Sequence, residues 1–235
     1  MDAADWPIAI YVDGANLTEM QALVGHPWVK GFTTNPSLMW ASKVTNYMQF
    51  CRNAVTCAAG KPISLEVLED HDYAEIMRQA IILSGLGENV WVKVPVMSRF
   101  GKKNGDPIKE LARRGVKVNI TAVLNATLLV DVMPSEGSVI VSIFAGRISD
   151  MGMSPVRAAE QIVNVVVDKH PTARTLWASV RQIRDVKLAS GVCDIITIPV
   201  GMLQRLPQLD DISATEATMQ VVKQFHHDSA GYTIL

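Results

Sequence analysis

Eight short runs of apolar and β-branched residues recur along this chain, separated by segments of helical character, and that alternation restricts the fold more than any other feature. The runs are IAIYVD (8–13), GFTTN (31–35), PISLEV (62–67), VWVKVP (90–95), VKVNITA (116–122), SVIVSIFA (138–145), RTLWASV (174–180) and DIITIPV (194–200). Strands joined through helices run parallel, because a parallel pair needs a crossover of a dozen or more residues. Eight such units in 235 residues match a single (β/α)8 TIM barrel, with 1–235 as one domain that ends in a C-terminal helix. A doubly wound open sheet accommodates the same strands, since the pattern does not itself prove closure.

Helix boundaries can be read between the runs. Asp106-Pro107 and Ser154-Pro155 each read as an N-cap followed by proline at the first helical position. Residues 71–87 have helical apolar spacing and a glycine stop, residues 214–228 read as a terminal helix, and residues 36–60 are long enough for two helices.

Several function classes are disfavoured at this level. Lysines and arginines number 22 against 23 acids, which argues against a nucleic-acid platform or a polybasic membrane anchor. Cys51, Cys57 and Cys193 show neither a CxxC pair nor metal-ligand spacing, and read as buried thiols in a reducing compartment. Among the histidines, His71, His226 and His227 read as solvated and His26 and His170 as turn residues beside prolines, so no metal is expected. The start, MDAADWPIAI, lacks a basic region followed by a long apolar core, and no later run reaches the length of a membrane span. A cytoplasmic location is therefore expected, and the N-x-T triplets at Asn16, Asn119 and Asn125 are not glycosylation acceptors. SRFGKKNGD (98–106) reads as a solvated, mobile loop, or alternatively as a lid facing a phosphate.

Lys93 interrupts the apolar run VWVKVP, and burying an ammonium there is costly unless it is paired or loses its proton. Other polar residues break the runs in pairs two apart, the spacing that shares one face of a strand: Thr33 and Asn35, Ser64 and Glu66, Asn119 and Thr121, Ser179 and Arg181. Ser142 and Phe144 form a further pair, and Asp13 closes the first run. In a barrel the C-terminal strand ends make the rim where active sites are built, so inward-facing pairs would converge on one pocket around Lys93. A lysine in a partly apolar pocket gives up its proton more readily; its neutral amine then attacks a ketone, and the iminium accepts the electrons of a breaking carbon–carbon bond. Asp13 and Glu66 are the acid/base candidates, and Arg147 and Arg181 are suited to clamp a phosphate. The plainer readings are a lysine reaching solvent from an edge strand, Asp13 capping a turn, and Arg147 paired with Asp150 at the surface.

The motifs GFTTNPSL, SLEV, VWVKVPV, VNITAV, SIFAGRISD and WASVR, in this order between Tyr11 and Ile198, resemble the transaldolase family, including its short members that border the fructose-6-phosphate aldolases. The resemblance implies that Lys93 is the Schiff-base lysine, Asp13 the acid/base at the cleaved bond and Glu66 a carboxylate acting through water. It further implies that Thr33, Asn35, Asn119 and Thr121 position the dihydroxyacetone unit and that water. Ser142 and Phe144 would line the pocket, and Arg147, Ser179 and Arg181 would hold phosphate. Three departures, Val180 for an aromatic, Ile143 for a proline and a longer segment at 97–107, are expected to border the acceptor and phosphate end. The implied enzyme is a cofactor-independent transaldolase acting on sugar phosphates, commonly as a homo-oligomer. An aldolase releasing dihydroxyacetone and a non-catalytic sugar-phosphate-binding barrel are the alternatives; in the resemblance, glutamate at position 66 falls on the transaldolase side.

Overall fold

The computed structural model describes residues 6–209 and 213–233; the opening MDAAD and the final two residues of the tail lie outside them. The strands are β1 (Ala9–Asp13), β2 (Val29–Thr33), β3 (Ile63–Glu66), β4 (Val90–Pro95), β5 (Val118–Val123), β6 (Val139–Phe144), β7 (Arg174–Ala178) and β8 (Ile195–Pro199). Each pairs in parallel with the next and β8 returns to β1, so the sheet is a closed barrel and the open-sheet alternative is excluded. The helices are α1 (Leu17–Leu23), α2 (Pro36–Ala41), α3 (Tyr47–Cys57), α4 (Tyr73–Ser84), α5 (Gly105–Arg113), α6 (Ala145–Asp150), α7 (Pro155–Lys169), α8 (Asp185–Ser190), α9 (Val200–Leu203) and α10 (Ala214–Asp228).

Strand alternation divides the apolar residues into two cores. Val12, Phe32, Leu65, Val92, Ile120, Val141 and Ile196 belong to the larger core outside the barrel wall. Tyr11, Ile140, Leu176, Ala178 and Ile195 form a second core, with Trp91 and Phe144 against it. Gly31 makes room there. A Cβ at that position would lie 2.6–2.8 Å from the ring of Tyr11, so the missing side chain on β2 is the space that the ring occupies. Nearer the C-terminal strand ends the interior turns polar, which places the site.

Most helix boundaries agree with the sequence reading. Ser154 caps α7 by accepting from the Arg157 N–H, with Pro155 at its first turn, and residues 36–60 hold the two helices α2 and α3. Asp106 is a correction. The α5 helix begins at Gly105, so Asp106 and Pro107 lie inside its first turn, where N–H groups lack intrahelical partners and proline costs little. The preceding Asn104 is held elsewhere: its backbone N–H bonds Val96 O and its side chain bonds the carbonyls of Asp70 and Pro95. Two of the N-x-T asparagines are caps. Asn16 accepts from the N–H groups of Thr18 and Glu19, and Asn125 from that of Leu128.

Cys51 and Cys193 are buried but Cys57 is only partly so, a correction to the reading of all three as buried thiols. His170 is buried, its Nε2 3.0 Å from Gly137 O, while His71 is exposed beside Glu69. In the 98–106 segment, Arg99 pairs with Asp70 at 2.8 Å and Lys103 with Asp131 at 3.3 Å. Residues 213–233, including α10 with Met219, Val222 and Phe225, are exposed throughout. No helix among the described residues is long and apolar enough to cross a membrane.

Candidate active site

A pocket of about 450 Å³ opens at the C-terminal ends of the strands. Strand register builds its centre: Glu66 on β3 lies opposite Lys93 on β4, which lies opposite Asn119 on β5. Lys93 is 4% exposed. Its Nζ lies 2.8 Å from Glu66 Oε2 and donates to Thr34 O at 2.8 Å, so the buried ammonium is paired and hydrogen-bonded as burial demands. The edge-strand reading of this lysine is excluded. From α3, the Tyr47 hydroxyl donates to the backbone carbonyl of Glu66 and pins the end of β3.

Two polar networks flank this pair. On one side, Asn119 donates to Ser64 Oγ at 3.1 Å and accepts from Ser142 Oγ at 2.6 Å, tying β3, β5 and β6 together just beneath the pocket. On the other, Thr33 Oγ1 donates to Asp13 Oδ1 at 2.7 Å and lies 2.6 Å from Thr197 Oγ1. Burial pushes the Asp13 carboxyl above the ordinary carboxylate range; the charge of Lys93 and the Thr33 bond oppose that, and the Glu66 carboxylate adds to it. Thr121 Oγ1, in the pocket wall, is buried without a protein partner. Immediately after it Ala122 takes φ 62° and the β5–β6 register shifts, the signature of a bulge that re-aims a strand end.

The rim is built by a close approach. Ser179, just past β7, has φ 60°, and a Cβ on Gly146 would lie 1.8 Å from its carbonyl oxygen, so only glycine lets this loop settle on α6. Arg147 and Arg181 both line this end. The basic partner of Asp150 is Arg181, at 2.8 Å, and not Arg147 as the plainer reading had it.

The pocket thus gathers Lys93, Asp13, Glu66, Thr121, Thr33, Asn35, Ser142, Phe144, Arg147, Ser179 and Arg181. Asn35 also caps α2 through the Leu38 N–H; Asn119 does not line the pocket and is tied to it through Ser142. Thr197 was missed; its signal was a single polar residue inside DIITIPV, without a partner two positions away. Of the three departures expected at the substrate end, Val180 lines the pocket, whereas Ile143 is buried in the outer core and no residue of 97–107 lines the cavity. Away from the pocket, Glu69, Asp70 and His71 bring ligand-type atoms within 4.8 Å of one another, but their carboxylates already engage Arg99 and backbone N–H groups.

A closed barrel with a buried lysine–carboxylate pair at the C-terminal strand ends has the layout of the enzymes that work at that face of this fold. The chain is a member of the transaldolase/fructose-6-phosphate aldolase family, whose model matches residues 10–233. A protein of Bartonella henselae named "Probable transaldolase" is 30% identical over 83% of this chain and 87% of its own length. One of the same name from Chelativorans sp. is 32% identical over 83% and 87%. Among solved structures, dihydrodipicolinate synthase from Rhodopseudomonas palustris superposes with a TM-score of 0.54 at 11% identity over 97% of this chain and 82% of that one. KGPDC from Streptococcus mutans gives 0.52 at 12% over 92% and 94%. The last two likenesses speak to fold only. The protein is therefore an enzyme of the transaldolase and aldolase kind.

Proposed function

We propose that this enzyme is a class I transaldolase that moves a dihydroxyacetone unit from a ketose phosphate to an aldose phosphate through a Schiff base on Lys93. The observation that carries the reading is the Lys93 ammonium, buried and 2.8 Å from Glu66, in one pocket with Asp13. In this reading Glu66, 2.8 Å away, takes the proton of Lys93 and frees the amine to attack the donor ketone. Loss of water from the carbinolamine gives the iminium. Asp13 then takes the proton of the sugar hydroxyl as the carbon–carbon bond breaks, and the bond electrons move into the iminium to leave an enamine. The acceptor aldehyde reverses these steps. Thr121, with an unpartnered hydroxyl in the wall, suits the water of carbinolamine formation, and Arg147, Ser179 and Arg181 suit the phosphate.

The family resemblance at Glu66 favours transfer over release of free dihydroxyacetone. The same reading takes the protein as a cytoplasmic homo-oligomer without a cofactor, the exposed apolar residues of α10 being available to a neighbour. Borohydride added with fructose 6-phosphate is expected to fix a three-carbon adduct on Lys93, and free dihydroxyacetone is expected to stay low without an aldose phosphate. Rapid release that no acceptor alters would make the enzyme an aldolase, and turnover surviving in Lys93→Ala would sink the Schiff base.

A further inference from the structure

The hydroxyl of Thr33 has one proton, and the structure shows two oxygens within reach of it. It donates to Asp13 Oδ1 at 2.7 Å, so the 2.6 Å contact with Thr197 Oγ1 is a bond that Thr33 receives. Hydrogen bonds therefore run one way, from Thr197 through Thr33 to Asp13. Thr33 is 3% exposed and Thr197 4%, so solvent has little access to either hydroxyl. Thr197 is also the polar side chain that β8 turns inward, between Ile195 and Pro199, and it lines the pocket.

We propose that Thr197 is a positioning residue for the bond-breaking step: by filling the acceptor side of Thr33 it holds that hydroxyl as a fixed donor to Asp13. One carboxylate oxygen, Oδ1, is thereby committed as an acceptor, and Oδ2 is left to exchange the proton with the sugar hydroxyl. Chained bonds also polarise one another, so the donation that Thr33 receives strengthens the one it makes. The charged groups that bear on Asp13 are Lys93 on β4 and Glu66 on β3, which pair with each other at 2.8 Å. The flanking strands β2 and β8 present Thr33, Thr197 and Pro199 to it, none of which titrates.

This inference rests on Asp13 being the acid/base of the proposed reaction, and the experiment separates the two. Mixing full-length enzyme with fructose 6-phosphate in the absence of acceptor releases glyceraldehyde 3-phosphate in a burst that reports donor cleavage. Thr197→Val is expected to slow that burst roughly three- to tenfold, the scale of one lost hydrogen bond, with little change in the half-saturating sugar concentration. Because a carboxylate whose donor is less polarised and less firmly held is harder to ionise, the acid limb of the burst rate moves to higher pH. Thr197→Ala must show the same displaced limb, and Thr197→Ser must restore the wild-type profile. A burst lost in Asp13→Asn but unchanged in rate and pH profile in Thr197→Val overturns the inference and leaves Asp13 its role. A burst intact in Asp13→Asn overturns both.

Discussion

Lys93–Glu66 and Arg181–Asp150 are ion pairs with the same separation, 2.8 Å, in opposite surroundings. The first has side chains 6% and 15% exposed inside the barrel mouth; the second has both at 50% on the rim. Water and salt screen the rim pair, and such pairs contribute about 0–1 kcal/mol to stability. Within the wall neither charge tolerates the loss of the other, because the survivor would be buried without compensation. Equal distances thus serve different ends. The inner pair keeps a charge available where the barrel would otherwise reject it, while the outer one leaves a solvated guanidinium that can part from its acid at little cost.

The most severe way to break this comparison is Lys93→Met, which leaves Glu66 charged and unpaired. Turnover should vanish and urea denaturation should show a loss of about 3–5 kcal/mol. Adding Glu66→Gln should recover most of that stability without activity. A Lys93→Met protein as stable as wild type would mean that the inner pair is no more coupled than the outer.

At the rim the effects separate by substrate. Arg181→Ala should weaken phosphorylated substrates by about 1.5–3 kcal/mol, since a charge-assisted bond is lost, and leave unphosphorylated analogues nearly untouched. The stability of that variant should fall by less than about 1 kcal/mol, measured in the same urea titration. Equal binding losses for both substrate types would make Arg181 structural.

The smallest effect concerns Asp13, whose carboxyl is held above its usual range chiefly by burial. The folded state then binds this proton more tightly than the unfolded chain, so its contribution to stability falls as pH rises from the unfolded value through the folded one. Neutral Asn at this position should therefore raise the melting temperature slightly at neutral pH, and the gain should shrink on acidification toward the ordinary aspartate range. A gain independent of pH would show that packing is the cause.

How much of this was legible beforehand depended on whether a signal was local. Lys93, Glu66 and Thr121 stood out because a period of two makes a polar intruder in an apolar strand visible without any knowledge of its neighbours. Barrel closure, by contrast, is a relation between β1 and β8 that no window of sequence contains. Thr197 escaped notice because its importance lies in an oxygen 164 positions away. The start of α5 was misplaced for a similar reason: Asp106-Pro107 has the local chemistry of a cap, but contacts of Asn104 with Asp70 and Pro95 decide where the chain turns. Asp150 was matched to the arginine nearest in sequence, whereas the fold of Ser179 over Gly146 brings Arg181 to it.

Gly31 and Tyr11 carry a consequence for how such a chain can change over generations. The space absent at one position is the ring present at the other, so the two cannot vary independently. A methyl at position 31 forces the buried ring to shift, whereas a smaller residue at 11 leaves a void that position 31 can then fill, at the cost of passing through a less stable intermediate. Replacing the ring first and the glycine second avoids that clash. Two residues on neighbouring strands therefore constrain one another.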